Sequence, residues 1–242
     1  MKKTFFNYVL IAVLFITSIS CSKDDLNESD TIRQEIDLTE NVKGIVVGNG
    51  FKVTVSKSDS NNAYIDYSES LEGRIIAKIE DGYIYLGITG DLKIKNGYPV
   101  IQANISISEL ELIEISSGSS VEMSGNFNGD KCTIKMKETS ILTGFNYTGE
   151  SMDINLSSSS ECEMSGNVDS ATVFAKEGSS LDMINVMTQI LDVNLSAASS
   201  AKVTVLEKIT GKLSSACNLE YKGNADISEV DVDSTSNIKK LQ

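Results

Sequence analysis

From Leu110 onward the chain repeats one short phrase, a cluster of small polar residues followed by an apolar–x–apolar pair. The leading apolar positions are Val121, Ile141, Cys162, Leu181, Ala201, Leu219 and Ile238, with successive differences of 20, 21, 19, 20, 18 and 19. A second row keeps the same beat: Ile113 with Ile115, Ile134 with Met136, Ile154 with Leu156, Val173 with Ala175, Val193 with Leu195, Gly211 with Leu213, and Val230 with Val232. A looser third row runs through Phe127, Phe145 or Tyr147, Val168, Val186, Leu206, and Ala225 or Ile227. Each alternating segment reads as a strand with one face turned inward. One turn of such a chain cannot bury its inner face alone, whereas stacked turns can. The rows therefore predict an all-β chain, a three-sided parallel β-helix of about 20 residues per coil and about seven coils. At the usual strand spacing that is a rod roughly 34 Å long.

The polar clusters fall at a constant phase, so they predict corners. Ser, Gly and Asn tolerate turn geometry, and stacked hydroxyls and amides can bond from coil to coil. An antiparallel sandwich is the competing architecture; it requires regular hairpin dipeptides, of which Asn128-Gly129 is one candidate. Residues 36–108 alternate like strands but out of the later phase, and they predict an irregular β cap or opening coils. Asp81-Gly82 predicts a tight hairpin between Ile75–Ile79 and Tyr83–Ile88. A cap is needed because bare strand edges invite pairing with another chain, and at the far end Lys239 and Lys240 fit the role of edge-protecting charges. The regular coils are expected over 109–242.

The first residues carry a different pattern. Lys2 and Lys3 precede an apolar run densest from Val9 to Ile16, then Thr17, Ser18, Ser20 and Cys21. The run is too short for a membrane span of about 20 residues and has the layout of a secretory signal peptide, 1–20. A Cys at this place resembles the lipobox of bacterial lipoproteins, in which the Cys is diacylated and becomes the mature N-terminus; Ser18 stands where Leu is usual. Ser22, Lys23, Asp24 and Asp25 resemble the acidic surface-export signal of Bacteroidota lipoproteins. Residues 21–35 are then a flexible tether. The expected location is the outer membrane, at the cell surface, with its periplasmic face as the alternative.

The formal net charge of -13 argues against nucleic acid and against adsorption to anionic lipid. The chain has no His, which removes the commonest general base and zinc ligand. Cys132, Cys162 and Cys217 lack CxxC spacing and are an odd number, so at least one thiol is free. Cys162 falls on an inward row, where it acts as a small hydrophobe. Glu161 with Glu163, and Asp231 with Asp233, each share a strand face; they read either as calcium ligands or as a solvated outer surface. No catalytic residue, metal site or cofactor is expected.

The corners Ser-Gly-Ser-Ser, Ser-Ser-Ser-Ser and Ala-Ala-Ser-Ser, with the opening Val42 to Val47 and Gly50 to Val55, resemble the family called "putative auto-transporter adhesin, head GIN domain" over 36–241. That resemblance implies a right-handed parallel β-helix, a Bacteroidota secreted or lipid-anchored protein, and no catalytic residues. Lys137-Glu138-Thr139 and Lys176-Glu177-Gly178 replace two of the small corners, which implies an interrupted serine ladder. The expected function is a non-enzymatic envelope lipoprotein that presents a β-helix face to a surface protein or glycan. A carbohydrate-active lyase or hydrolase, and a structural periplasmic lipoprotein, are the alternatives.

Overall fold

The computed structural model describes residues 30–38, 41–90 and 99–242. The N-terminal part contains β1 (Thr31–Ile36), β2 (Gly44–Val47), β3 (Lys52–Lys57), β4 (Asn62–Ser68), β5 (Ile75–Glu80), β6 (Tyr83–Ile88) and β7 (Ile101–Ile107). β2 and β3 form the first coil. The chain then leaves the stack and returns above it, with β6 parallel on β2 and β7 parallel on β3. Three antiparallel strands close this end: β5 on β6, β4 on β7, and β1 on β4. The β5–β6 hairpin turns at Asp81-Gly82, both left-handed with φ of 54° and 79°, as a two-residue type I′ turn requires.

β8 (Leu112–Ile115) and β9 (Ser120–Ser124) stack on the opposite side of β2 and β3. Regular coils follow through β10 (Asn126–Met136), β11 (Ile141–Leu156), β12 (Glu161–Ala175), β13 (Ser180–Ser196), β14 (Ser200–Ser214), β15 (Asn218–Lys222), β16 (Asp226–Val232) and β17 (Asn237–Lys240). The chain is a parallel β-helix, a solenoid of about six turns with roughly 20 residues per turn. The first face carries the Ile113, Ile134, Ile154, Val173, Val193, Gly211 and Val230 row in unbroken register. The second face carries Val121, Leu142, Cys162, Leu181, Ala201, Leu219 and Ile238; these seven rungs bound six turns.

Two positions differ from the sequence expectation. Leu142, not Ile141, lies opposite Val121 and Cys162, and Ile141 is 40% exposed. Ser140 takes the buried corner place, so strand alternation turns Ile141 outward and Leu142 inward. On the third face Val205 is buried and Leu206 exposed, because the β13–β14 register shifts there. An inward row not foreseen from the sequence, Cys132, Met152, Ala171, Leu191 and Ile209, widens the core. Burying one such aliphatic side chain is worth about 1.5–3 kcal/mol.

The corner between the first and second faces is built from pairs of left-handed residues: Ser117-Gly118, Glu138-Thr139, Ser158-Ser159, Glu177-Gly178, Ala197-Ala198 and Ser215-Ala216. For a non-Gly residue this conformation costs roughly 1–2 kcal/mol. The cost is offset by a continuous ladder, in which the second amide of each pair donates to the first carbonyl of the next. Examples are Gly118 to Glu138 at 2.8 Å and Ser159 to Glu177 at 2.9 Å. The next residue is buried in every coil, as Ser119, Ser140, Ser160, Ser179, Ser199 and then Cys217. Ser160, Ser179 and Ser199 each donate to the carbonyl three residues back, at 2.6, 2.7 and 2.9 Å. The charged corners do not interrupt this serine ladder. Glu138 and Glu177 occupy the left-handed positions outside it, and each accepts a bond from the serine one coil below, Ser117 at 2.7 Å and Ser158 at 2.8 Å.

Candidate functional site

Between each pair of inward residues on the first face stands one outward residue. The register stacks Glu114, Lys135, Asn155, Phe174, Asn194 and Lys212 in a single column along the rod. Beside it, where the strand enters the corner, stand Lys137, Ser157, Lys176, Ser196 and Ser214. Together the two columns line an open cleft of about 570 Å³. The strands that hold it are fully paired, so its floor offers no free sheet edge and only side chains can read a ligand. Its steps are set by the strand spacing of about 4.8 Å.

The cleft's chemistry contrasts with that of the chain. Four lysines face one acid, Glu114, in a molecule of net charge -13. Lys212 pairs with Asp231 at 3.1 Å and Lys176 with Glu177 at 3.6 Å, both exposed pairs of small energetic weight. The Ser158 hydroxyl, and then Lys176, hold the Glu177 carboxyl below its ordinary range. Lys135 and Lys137 have no acidic partner among the described residues. Phe174, 48% exposed, lies between Asn155 and Asn194 in the column. A large exposed aromatic flanked by amides is a flat apolar platform with hydrogen-bonding groups at its rim.

The other candidates divide differently. Cys21, Ser22, Lys23, Asp24 and Asp25 lie outside the described residues. Glu161 and Glu163 point outward on the second face, where Glu163 lies opposite Asp182. Among the described residues no group of three His, Cys, Asp or Glu side chains is placed to hold a metal ion. Asp231 pairs with Lys212, and Asp233 is a structural acceptor. Its carboxylate takes the backbone N–H of Ser215 at 2.8 Å and of Ser236 at 2.8 Å, and the hydroxyl of Thr235 at 2.9 Å. These bonds hold it well below the usual carboxylate range. Cys132, Cys162 and Cys217 are free and buried. Burial pushes the Cys132 and Cys162 thiols up to about 12, so neither forms the thiolate on which nucleophilic chemistry depends. The cleft was not singled out from the sequence, although a signal for it exists: its main column is the x of each apolar–x–apolar pair.

The family described as "putative auto-transporter adhesin, head GIN domain" matches residues 41–225. No curated protein matches the chain. The fold is similar to that of a "putative adhesin" of Bacteroides fragilis NCTC 9343, with 15% identity, a TM-score of 0.79, and coverage of 88% of this chain and 98% of the other. A "putative lipid binding protein" of Parabacteroides distasonis ATCC 8503 has 16% identity, a TM-score of 0.67, and coverage of 89% and 98%. A "putative adhesin" of Parabacteroides merdae ATCC 43184 has 14% identity, a TM-score of 0.63, and the same two coverages, 89% and 98%. At these identities the likeness is one of fold.

Proposed function

This chain belongs to the head GIN domain family, and on that premise we propose that it is a non-enzymatic binding module of the cell envelope. The observation that carries the reading is the first-face cleft, a basic, aromatic-floored groove on a rigid, acidic rod. Rigid strands hold a constellation of side chains more closely than loops do, and concave sites with a few polar groups are where ligands are usually bound. Hydrolysis of a glycan ordinarily needs two carboxylates across the scissile bond. Glu114 is the cleft's one carboxylate among its lining residues, which favours capture over turnover.

In this reading Cys21 carries the lipid and Ser22 to Asp25 direct the protein to the outer surface of the outer membrane. The tether then leads to the end of the rod where β1 lies. Two measurements test the proposal. An epitope tag placed after Asp30 should be labelled by antibody on intact cells, and Cys21→Ala should abolish membrane retention; a tag reached only after the outer membrane is broken would count against a surface role. The purified protein should bind at least one member of a panel of glycans and matrix proteins without consuming it. Failure across the panel, or release of shortened or unsaturated sugar products, would overturn it.

A further inference from the structure

We propose that the ligand of the first-face cleft is a linear acidic polysaccharide, its uronate carboxylates held by lysines and one sugar ring lying on Phe174. The inference rests on the binding-module reading and names the chemistry of that module's partner.

Four features of the cleft point the same way. Charge is the first: Lys135, Lys137, Lys176 and Lys212 gather on one strip of a chain whose net charge is -13. Lys135 and Lys137, the two without an acidic partner among the described residues, put positive potential into an acidic background and draw an anion to that strip. The second is spacing. Lys137 and Lys176 follow Met136 and Ala175, which are two coils apart in the ladder, so they stand about 10 Å apart along the axis. That is on the order of a disaccharide, the repeat at which the carboxylates of a two-fold polyuronate chain return to one side, and neutral Asn and Ser rungs separate the charges. The pattern fits a chain with spaced carboxylates better than a densely sulfated one. The third is the Phe174 ring between Asn155 and Asn194. An exposed ring can stack against the apolar C–H face of a pyranose, while the amides meet its hydroxyls. The fourth excludes a common alternative. A peptide that binds by strand addition needs an open sheet edge, and every strand under the cleft is paired on both sides.

The test measures the affinity of the full mature protein for sodium polygalacturonate, with neutral dextran, dextran sulfate and poly-glutamate alongside. Polygalacturonate should bind best, more weakly as salt is raised. Lys135→Gln, Lys137→Gln and Lys176→Gln combined should weaken it by about tenfold or more, since each exposed pair contributes modestly. Phe174→Ala should weaken it by about tenfold as well. All these positions are exposed, so circular dichroism and the thermal midpoint should be unchanged. Equal affinity for wild type and cleft variants would overturn the inference. So would dextran sulfate binding as tightly as polygalacturonate, and poly-glutamate binding in its place would point to an acidic protein. If a neutral glycan binds and the Phe174 variant abolishes it, the binding module stands and the acidic ligand falls. If nothing in this set or in the wider panel binds, both fall.

Discussion

Gly166 shows how one missing carbon keeps two coils together. Its φ is +128°, and a Cβ there would sit 1.9 Å from the Tyr147 carbonyl oxygen. Gly118, at a corner, has a φ of +70° and nothing within 4 Å of the same point. The two glycines separate backbone preference from collision. Gly118→Ala should cost about 1 kcal/mol, the left-handed penalty alone. Gly166→Ala should cost at least about 3 kcal/mol, because a coil must move aside. Urea melts of both variants check the difference, and equal losses would show that contact with Tyr147 does not matter. Residue-level legibility in the sequence was similarly divided. The inward row of the first face could be read because each rung keeps its phase. Ile141 and Leu142 could not be separated, since both are apolar neighbours and only the buried Ser140 sets which one turns in. The cleft lysines are scattered by multiples of a coil, so they look like isolated charges until the outward position of every rung is lined up.

At the scale of the element, the last corner differs from those before it. In interior coils the second left-handed amide finds a backbone carbonyl in the next coil. For Ala216 the acceptor is instead the Thr235 hydroxyl at 3.0 Å, and Ser215 donates to Asp233 at 2.8 Å. Side chains thus complete a ladder that backbone completes elsewhere. The folded-state pKa of Asp233 is depressed, first by the Ser215 amide and then by Ser236 and Thr235. A depressed carboxylate contributes stability that is present above its unfolded value and is lost as pH falls through its folded one. The hydrogen-exchange protection factors of Ser215, Ala216 and Cys217, taken against the intrinsic rate at each pH, should therefore fall on acidification, starting below about pH 4. Asp233→Asn should show the lower protection already at neutral pH. Unchanged protection of these amides in the variant would show that the carboxylate is not the cap. The elements themselves were legible from alternation, including the hairpin at Asp81-Gly82. Their other pairings in the first half were not: alternation identifies a strand, while β4, β6 and β7 choose partners by contacts distant in sequence.

For the whole molecule the governing property is one-dimensional stacking, in which each coil touches chiefly its neighbours. Glu161 pairs with Ser180, and this register allows a clean excision. Deleting 161–179 joins Ser160 to Ser180 and leaves every ladder in phase. The shortened protein should still unfold cooperatively and scatter as a rod one coil shorter. It loses Phe174 and Lys176, so the ligand affinity of the cleft should drop while the fold persists. Deleting one residue more or fewer exchanges inward for outward positions in the strand after the junction, and should give a less stable, aggregation-prone protein. Size-exclusion chromatography with small-angle scattering distinguishes the two cases. If the in-phase deletion also fails to fold, coil-by-coil independence is wrong.

The displaced first coil has a mechanical consequence. β2 and β3 lie between layers that come later in the chain, and the outermost strand on that side of the second face is β1, zipped to β4 over six residue pairs. A pull arriving through the segment before Thr31 loads β1 first. It reaches β2 only after that strand has yielded and its slack has been drawn out. The cap is thus the part of the fold that a load applied there would strain first, and the coils that carry the cleft the part it would reach last. With the anchoring at Cys21 and the first-face ligand proposed above, a load during flow would be met by a tether that lengthens before the cleft is disturbed.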